Sequence, residues 1–335
     1  MKAIAIEQQG PGYRLRLRET PDPVPGAGEI LIRVAGAGLN RADLLQARGL
    51  YPPPPGASDI LGLEVSGVVA ALGAGVTEWA VGARVCALLP GGGYAERAVA
   101  DAGSVLPVPE DMPLVDAAGL PEAAFTAWTN IMDTGRLAAG ETLLVHGGTS
   151  GIGSLAIQIF AARGIRVFTT VGSDDKCAAA RALGAARAIN HRTEDFVAAV
   201  KDETGGRGVD VILDMVGGGY VQRNIRAAAP CGRIVNIAYQ DGFRTEVDFG
   251  PVLLKRLTLA ATTLRGRSPA EKRAIRDALR HQVWPLLGSG ERAEARIKPV
   301  IDRVFPLAEA GAAHAALTRG GHVGKILLSL AAPDG

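Results

Sequence analysis

From Glu141 to about Leu264 the hydrophobic positions switch between short β-branched runs and longer amphipathic stretches, the pattern of repeated βα units in a parallel sheet. The spacing predicts strands over Thr142 to His146, Arg166 to Val171, Ala186 to Asn190, Val209 to Met215, Arg233 to Ala238 and Leu257 to Thr263. Helical stretches such as Ser154 to Arg163 and Lys176 to Leu183 separate them. Six strands with five crossovers fit a doubly wound dinucleotide-binding sheet. The first 110 or so residues differ: short alternating segments (Glu29 to Ala35, Glu64 to Leu72, Arg84 to Leu88, Ala95 to Ala100) are broken by Gly and Pro turns, which predicts a β-rich lobe. After Leu264 come one helix (Pro269 to Leu287), a strand pair (Ile297 to Phe305 and Lys325 to Leu330) and a short helix between them (Leu307 to Thr318). That is too little for a third domain, so the C-terminal segment is expected to rejoin the first lobe. The predicted organisation is α/β, with residues 1–122 and 265–335 in the β-rich domain and 123–264 in the nucleotide-binding domain.

Composition narrows the function classes. The 335 residues are 47% hydrophobic and 21% charged, with 44 Gly and 20 Pro, which suits a folded protein rich in tight turns. Net charge is +2, from 36 Lys+Arg against 34 Asp+Glu, and no run of five like charges occurs, so nucleic acid and anionic lipid are not expected partners. Cys86, Cys177 and Cys231 are far apart, which excludes a disulfide framework or a thiolate zinc cluster. His146, His281, His314 and His322 show no metal-ligand spacing. The N-terminus alternates like a strand, without signal-peptide character, and no apolar run approaches the ~18 residues of a membrane span. The expectation is a cytoplasmic protein without a membrane partner.

The strongest chemical signal is Leu143-Leu144-Val145-His146-Gly147-Gly148-Thr149-Ser150-Gly151-Ile152-Gly153, which follows a predicted strand and opens a predicted helix. A dinucleotide pyrophosphate needs free backbone N–H groups at a helix N-terminus and glycines where a Cβ would block its approach. Gly148, Gly151 and Gly153, with Ser150 and Ile152 between them, supply that arrangement, although Ser150 replaces the middle glycine of a strict G-x-G-x-x-G. An acidic residue about 20 positions on would mark NAD. The second strand ends instead in Gly172-Ser173-Asp174-Asp175-Lys176. Ser173 and Lys176 can hold a 2′-phosphate, and His191 and Arg192 after the third strand can add donors, which favours NADPH. The competing reading makes Ser173 or Asp174 a helix N-cap and Lys176 a solvated side chain.

The whole chain resembles the medium-chain dehydrogenase/reductase superfamily, with a GroES-like catalytic domain and a Rossmann domain. Gly38-Leu39-Asn40-Arg41-Ala42-Asp43-Leu44, Tyr51-Pro52-Pro53-Pro54-Pro55-Gly56-Ala57-Ser58, Ile60-Leu61-Gly62-Leu63-Glu64, Leu88-Leu89-Pro90-Gly91-Gly92-Gly93 and Pro121-Glu122-Ala123 resemble the zinc-free quinone oxidoreductases. The tumour-suppressor-inducible branch is the nearer likeness and zeta-crystallin the more distant. The Gly-His-Glu element of the zinc enzymes stands here as Gly62-Leu63-Glu64, and no thiol lies near Leu39-Asn40, so no metal is expected. A quinone then needs only alignment with the nicotinamide, exclusion of water and hydrogen-bond donors to its developing oxyanion.

The resemblance implies Asn40 and Tyr51 as the residues beside acceptor and cofactor, Thr126 at the nicotinamide end, and Lys325 reaching the cofactor phosphate. Ile237 and Tyr239 close the fifth strand at the switch point of the sheet. Leu63, Phe243, Leu264 and Arg265 complete the expected substrate and cofactor lining, and Glu64 is expected to be structural. The function implied is NADPH-dependent reduction of a quinone without a metal. Reduction of the activated C=C bond of an enone, alkenal or enoyl thioester is the alternative, and a non-enzymatic NADPH-binding structural or RNA-binding protein the second. The apolar edge strand Leu257 to Thr263 is expected to pair two copies into a homodimer.

Overall fold

The computed structural model describes residues 1–288 and 297–330. The chain forms two compact units, Met1–Phe125 with Arg265–Gly335 and Thr126–Leu264. In chain order the first unit contributes strands β1 (Lys2–Gln8), β2 (Arg14–Glu19), β3 (Glu29–Gly38), β4 (Glu64–Leu72), β5 (Arg84–Leu88), β6 (Arg97–Asp101) and β7 (Val105–Pro107). The second contributes β8 (Thr142–His146), β9 (Arg166–Val171), β10 (Arg187–Asn190), β11 (Val209–Asp214), β12 (Ala228–Asn236) and β13 (Thr258–Ala261), and the chain returns to the first unit with β14 (Ile301–Pro306) and β15 (Lys325–Ser329).

The second unit is a six-stranded sheet in the order β10-β9-β8-β11-β12-β13, parallel at every pairing. Two windings diverge from β8 and β11, and the crevice this leaves at their C-terminal ends is where such sheets take ligands. Leu144, Phe168, Ile189, Ile212 and Ile234, all at or near zero exposure, form one core cluster. Each such side chain contributes roughly 1.5–3 kcal/mol on burial. β12 begins at Ala228, five residues before the expected Arg233. Pro230-Cys231-Gly232 reads as a turn, but it forms a bulge in which Cys231 takes φ 60° and the register against β11 shifts.

The first unit is a seven-stranded sheet, order β14-β15-β3-β4-β5-β7 with β6 also on β3, beside the separate β1-β2 ribbon. β15 pairs antiparallel with β3, placing Leu327 opposite Gly38, so the C-terminal strand lies in the same sheet as the N-terminal ones. The expected helix to Leu287 ends at Gln282 and continues only as a 3₁₀ turn, Trp284–Leu286. Pro285 has no N–H to carry an α-helix onward. Its start is fixed by a capping box in which Ser268 Oγ accepts from Glu271 N and Glu271 Oε2 from Ser268 N. The expected strand from Ile297 starts at Ile301, Ile297 making only an isolated bridge to Leu287. Helix Arg41–Ala47, too short for a periodic signal, was not expected, and it positions two of the residues discussed next.

Candidate functional site

In the second unit β8 runs into a tight turn and then helix Gly151–Ala162. Ser150 caps that helix, its Oγ accepting from Gly153 N at 3.0 Å. Gly151 and Ile152 are only half-buried, and their N–H groups donate to no acceptor among the described residues. Gly153 is required for closeness: a Cβ there would collide with the Gly147 carbonyl oxygen and lie 2.8 Å from Gly148 Cα. The turn therefore presents two free donors at the positive end of a helix, a cradle for a phosphate group.

At the end of β9, Gly172 lies beside His191 and Arg192, whose side-chain nitrogens stand 3.4 and 3.7 Å from where its Cβ would be. Ser173 caps helix Asp174–Ala182, its Oγ accepting from Lys176 N at 3.3 Å. This leaves the hydroxyl hydrogen free to donate outward. Asp174 is engaged by Asn190, whose Nδ2 donates to it at 2.8 Å, so that carboxylate is turned toward β10. Burial and the neighbouring Arg192 hold the His191 imidazole below its ordinary pKa, so it is a neutral donor or acceptor at pH 7. Arg192 is exposed and enters no ion pair among the described residues. The set fits a monoester phosphate, with Arg192 its fixed positive charge.

Beneath the turn lies a buried polar chain. Thr170 and Asn224 flank His146 at 2.9 and 2.7 Å. Asn224 and Asn236 both donate Nδ2 to Asp214 at 3.0 and 2.8 Å. With Asn224 Nδ2 committed to Asp214, its Oδ1 must accept from His146 Nε2–H, and Nδ1 accepts from the Thr170 hydroxyl. Burial lowers the His146 pKa, which keeps this neutral tautomer in place. The chain ties the ends of β8, β9, β11 and β12 together at the switch point.

In the first unit Glu64, at zero exposure, and Lys325, at 5%, form a buried ion pair between the first residues of β4 and β15. Lys325 Nζ also donates to Leu39 O at 2.9 Å and Asn40 Oδ1 at 2.8 Å. Asn40 Nδ2 donates to Glu64 Oε1 at 2.8 Å, and Glu64 Oε2 accepts from Glu122 N at 2.9 Å. The half-buried Asn40 amide is thereby locked, with one N–H left to donate. Arg265 fastens the Tyr51 loop. Its guanidinium donates to Pro90 O at 2.8 Å, Gln46 Oε1 at 2.8 Å and Tyr51 O at 3.4 Å, and lies 5.4 Å from the Tyr51 ring centroid. The Tyr51 hydroxyl makes no hydrogen bond among the described residues, and burial, then the nearby Glu122, pushes its pKa up. It is a neutral O–H donor over the ordinary pH range.

A second buried chain runs from Asp43 to Tyr13. Asp43, at zero exposure, accepts from Asn40 N at 2.7 Å, Gly62 N at 3.1 Å and Tyr94 Oη at 3.1 Å. Tyr94 and Tyr13 contact His314 Nε2 and Nδ1 at 3.2 and 2.9 Å. Burial depresses His314 to about 4 from its ordinary 6.5 and raises Asp43 from 3.8 to about 6. The two act oppositely on stability. His314's contribution is complete above 6.5 and is lost as pH falls toward 4; Asp43's is complete below 3.8 and is lost as pH rises through 6. His314→Gln removes the first alone. Urea denaturation of this variant is therefore expected to show its deficit against wild type shrinking by on the order of 3 kcal/mol between pH 7 and pH 4. A deficit independent of pH would refute the assignment.

The structure thus gathers Asn40, Tyr51, Arg265 and Lys325 in the first unit, and the glycine turn with Ser173, Lys176 and His191 in the second. Several expected roles change. Lys325 does not reach out to a phosphate, because its ammonium is buried and fully engaged by Glu64, Asn40 and Leu39. Arg265 is 7% exposed and serves as a strut under Tyr51 rather than as lining. Leu63 is 2% exposed, its side chain part of the interior. Leu264 and Thr126 are also buried, at 7% and 6%. Phe243, by contrast, is 86% exposed, its ring 5.4 Å from that of the half-buried Tyr239, which follows Ile237 beyond β12. Sequence reasoning missed Asp43, Gln46 and Glu122 as members of the cluster. Asp43 and Glu122 stood inside the quoted motifs, but nothing local shows that they are buried.

Two family descriptions match: the alcohol dehydrogenase GroES-like domain over residues 26–110 and the zinc-binding dehydrogenase over residues 151–280. The quinone oxidoreductase of Thermus thermophilus, solved alone and in complex with NADPH, is 30% identical, covers 98% of this chain and is itself covered completely, with a TM-score of 0.81. The CurK enoyl reductase is 28% identical over 98% of both chains, with a TM-score of 0.82. A component of the phenolphthiocerol/phthiocerol polyketide synthase of Mycobacterium tuberculosis is 32% identical over 98% of this chain, which spans only 15% of that protein's length. This chain belongs to the medium-chain dehydrogenase/reductase superfamily, and it has homologues among both quinone oxidoreductases and enoyl reductases. Among the described residues no group of three or more His, Cys, Asp or Glu side chains is placed to hold the zinc named in one family description.

Proposed function

We propose that the chain is an NADPH-dependent reductase of small quinone-like acceptors. The observation that carries this reading is the capped glycine turn at the switch point, with the unpaired Gly151 and Ile152 N–H groups at its mouth. These donors would hold the pyrophosphate, and Ser173, Lys176, His191 and Arg192 the 2′-phosphate. NADPH supplies two electrons and a hydrogen to the acceptor when bound. The protein's part is to align that acceptor and to offer Asn40 N–H and Tyr51 O–H to the oxygen on which charge develops. None of this calls on a metal. A second reading, reduction of an activated C=C bond, is favoured by the likeness to the enoyl reductase and to the polyketide synthase.

Stopped-flow oxidation of NADPH and of NADH, with chelator present and with a 1,4-quinone or an α,β-unsaturated ketone as acceptor, tests both readings. Chelator-resistant quinone reduction that prefers NADPH supports the first; turnover of the enone alone moves the function to the second. Loss of activity with the chelator would refute both as metal-free schemes.

We further propose that two copies associate along β13. That strand is the sheet edge, Leu259 on it is 40% exposed, and helix Gly250–Lys255 beside it buries none of its residues, leaving Leu253 and Leu254 79% and 78% exposed. Light scattering is expected to give twice the chain mass, and the monomer mass for Leu254→Asp; a monomeric wild type would end this proposal. No helix among the described residues is long and apolar enough to cross a membrane. All three cysteines are free, one of them exposed, which suits a reducing compartment such as the cytoplasm.

A further inference from the structure

Glu122 is the second residue of helix Pro121–Trp128, and its backbone N–H is anchored to Glu64. Glu122 is half-buried as a residue, and its carboxyl makes no hydrogen bond or ion pair among the described residues, although cations stand around it. Each is already engaged: Lys325 from β15 by Glu64 from β4, Arg265 by Gln46 and Pro90, and Lys272 from helix Pro269–Gln282 by the Arg265 carbonyl at 2.9 Å. The other titratable groups facing it are Asp43 from helix Arg41–Ala47 and Tyr51. A carboxyl left without a partner, on a residue whose N–H shares Glu64 with the locked Asn40 amide and whose charge is felt at the open Tyr51 hydroxyl, is free to give up a proton.

We propose that Glu122 is the proton donor to the reduced acceptor. The assignment rests on the reductase reading above and extends it to the second half of the reaction. After two electrons and a hydrogen reach the acceptor, a new C–H or O–H bond has formed and an enolate or phenolate remains. The Glu122 O–H bond then breaks, and its proton forms the Cα–H bond of the saturated ketone or the second O–H bond of the hydroquinone. The carboxylate left behind recovers a proton from water, while Lys325 and Lys272 moderate its charge. Burial, then the charge of Glu64, raises the group to about 8, so it carries its proton at neutral pH and is a stronger acid than Tyr51. An acid with a value near the working pH is the effective one.

The test compares wild type with Glu122→Gln and Glu122→Asp. Product formation is followed in a single turnover with NADPH and an α,β-unsaturated ketone, where a carbon must be protonated, and with a 1,4-quinone, which water can protonate. Glu122→Gln is expected to slow the ketone about 100-fold, to slow the quinone less, to leave NADPH affinity unchanged and to lose the alkaline limb of the pH profile. Glu122→Asp should restore that limb. Independently of turnover, infrared titration of the ligand-free protein should show a protonated-carboxyl band that disappears between about pH 7 and pH 9, around the value of about 8, and is missing from Glu122→Gln. Equal rates and pH profiles, or a Glu122 carboxyl already ionised at about pH 6, would overturn the assignment while leaving the reductase reading intact. A wild type that reduces neither acceptor would overturn both, whatever the infrared titration shows.

Discussion

Lys325→Met is expected to cost the first unit about 3–5 kcal/mol of stability, because it strands the Glu64 carboxylate at zero exposure without its counter-charge. The loss is not that of one contact. Lys325 also holds Leu39 O and Asn40 Oδ1, and Glu64 anchors Asn40 Nδ2 and Glu122 N, so the variant loosens Asn40 and the start of the Glu122 helix as well. Urea denaturation reads the effect, and the double variant Glu64→Gln/Lys325→Met is expected to recover at least half of it. Glutamine removes the buried charge and keeps one oxygen for the Glu122 N–H, while its NH2 can meet the Asn40 Oδ1 that Lys325 no longer holds once the Asn40 amide turns over. A single variant as stable as wild type would mean that water reaches the pair and compensates it.

The second large effect is expected at Gly153→Ala. The added Cβ would meet backbone, the Gly147 carbonyl and Gly148 Cα, which cannot rotate aside as a side chain can. Relief requires the turn to open, at a cost of about 1–3 kcal/mol. Opening it moves the Gly151 and Ile152 N–H groups off their common focus. NADPH affinity is expected to fall by about 100-fold or more, equivalent to about 2.7 kcal/mol, with only a modest drop in melting temperature. Fluorescence titration with NADPH measures the first and circular dichroism the second. Undiminished affinity would place the phosphates elsewhere.

The parallel sheet of the second unit was legible in the sequence because its strands carry short, largely β-branched or apolar runs between helical stretches, and the glycine turn is local: its strand, its cap and its helix are consecutive. β12 was misread at its start for the same reason, since Pro230-Cys231-Gly232 carries a turn's residues inside a bulged strand. What the sequence concealed was partnership. Lys325 reads as a solvated or phosphate-seeking lysine until β15 is laid against β3, which brings it to Glu64 across 261 positions. Arg265 reads as lining until Gln46 and Pro90 claim its guanidinium. Glu122 was visible as part of a motif, but its protonation depends on a burial that no local pattern encodes.

The same pairing bears on how the protein is made. Residues 126–264 are continuous and form their own sheet, so that unit has all its parts once Leu264 has been synthesised. The other unit must wait for β14 and β15, which are synthesised only after the whole of the nucleotide sheet. Until Lys325 leaves the ribosome, Glu64 has no buried counter-charge and Asn40 no fixed orientation. A chain cut short before residue 325 would therefore carry a complete nucleotide sheet beside an unfinished partner, able to bind cofactor but not to place an acceptor.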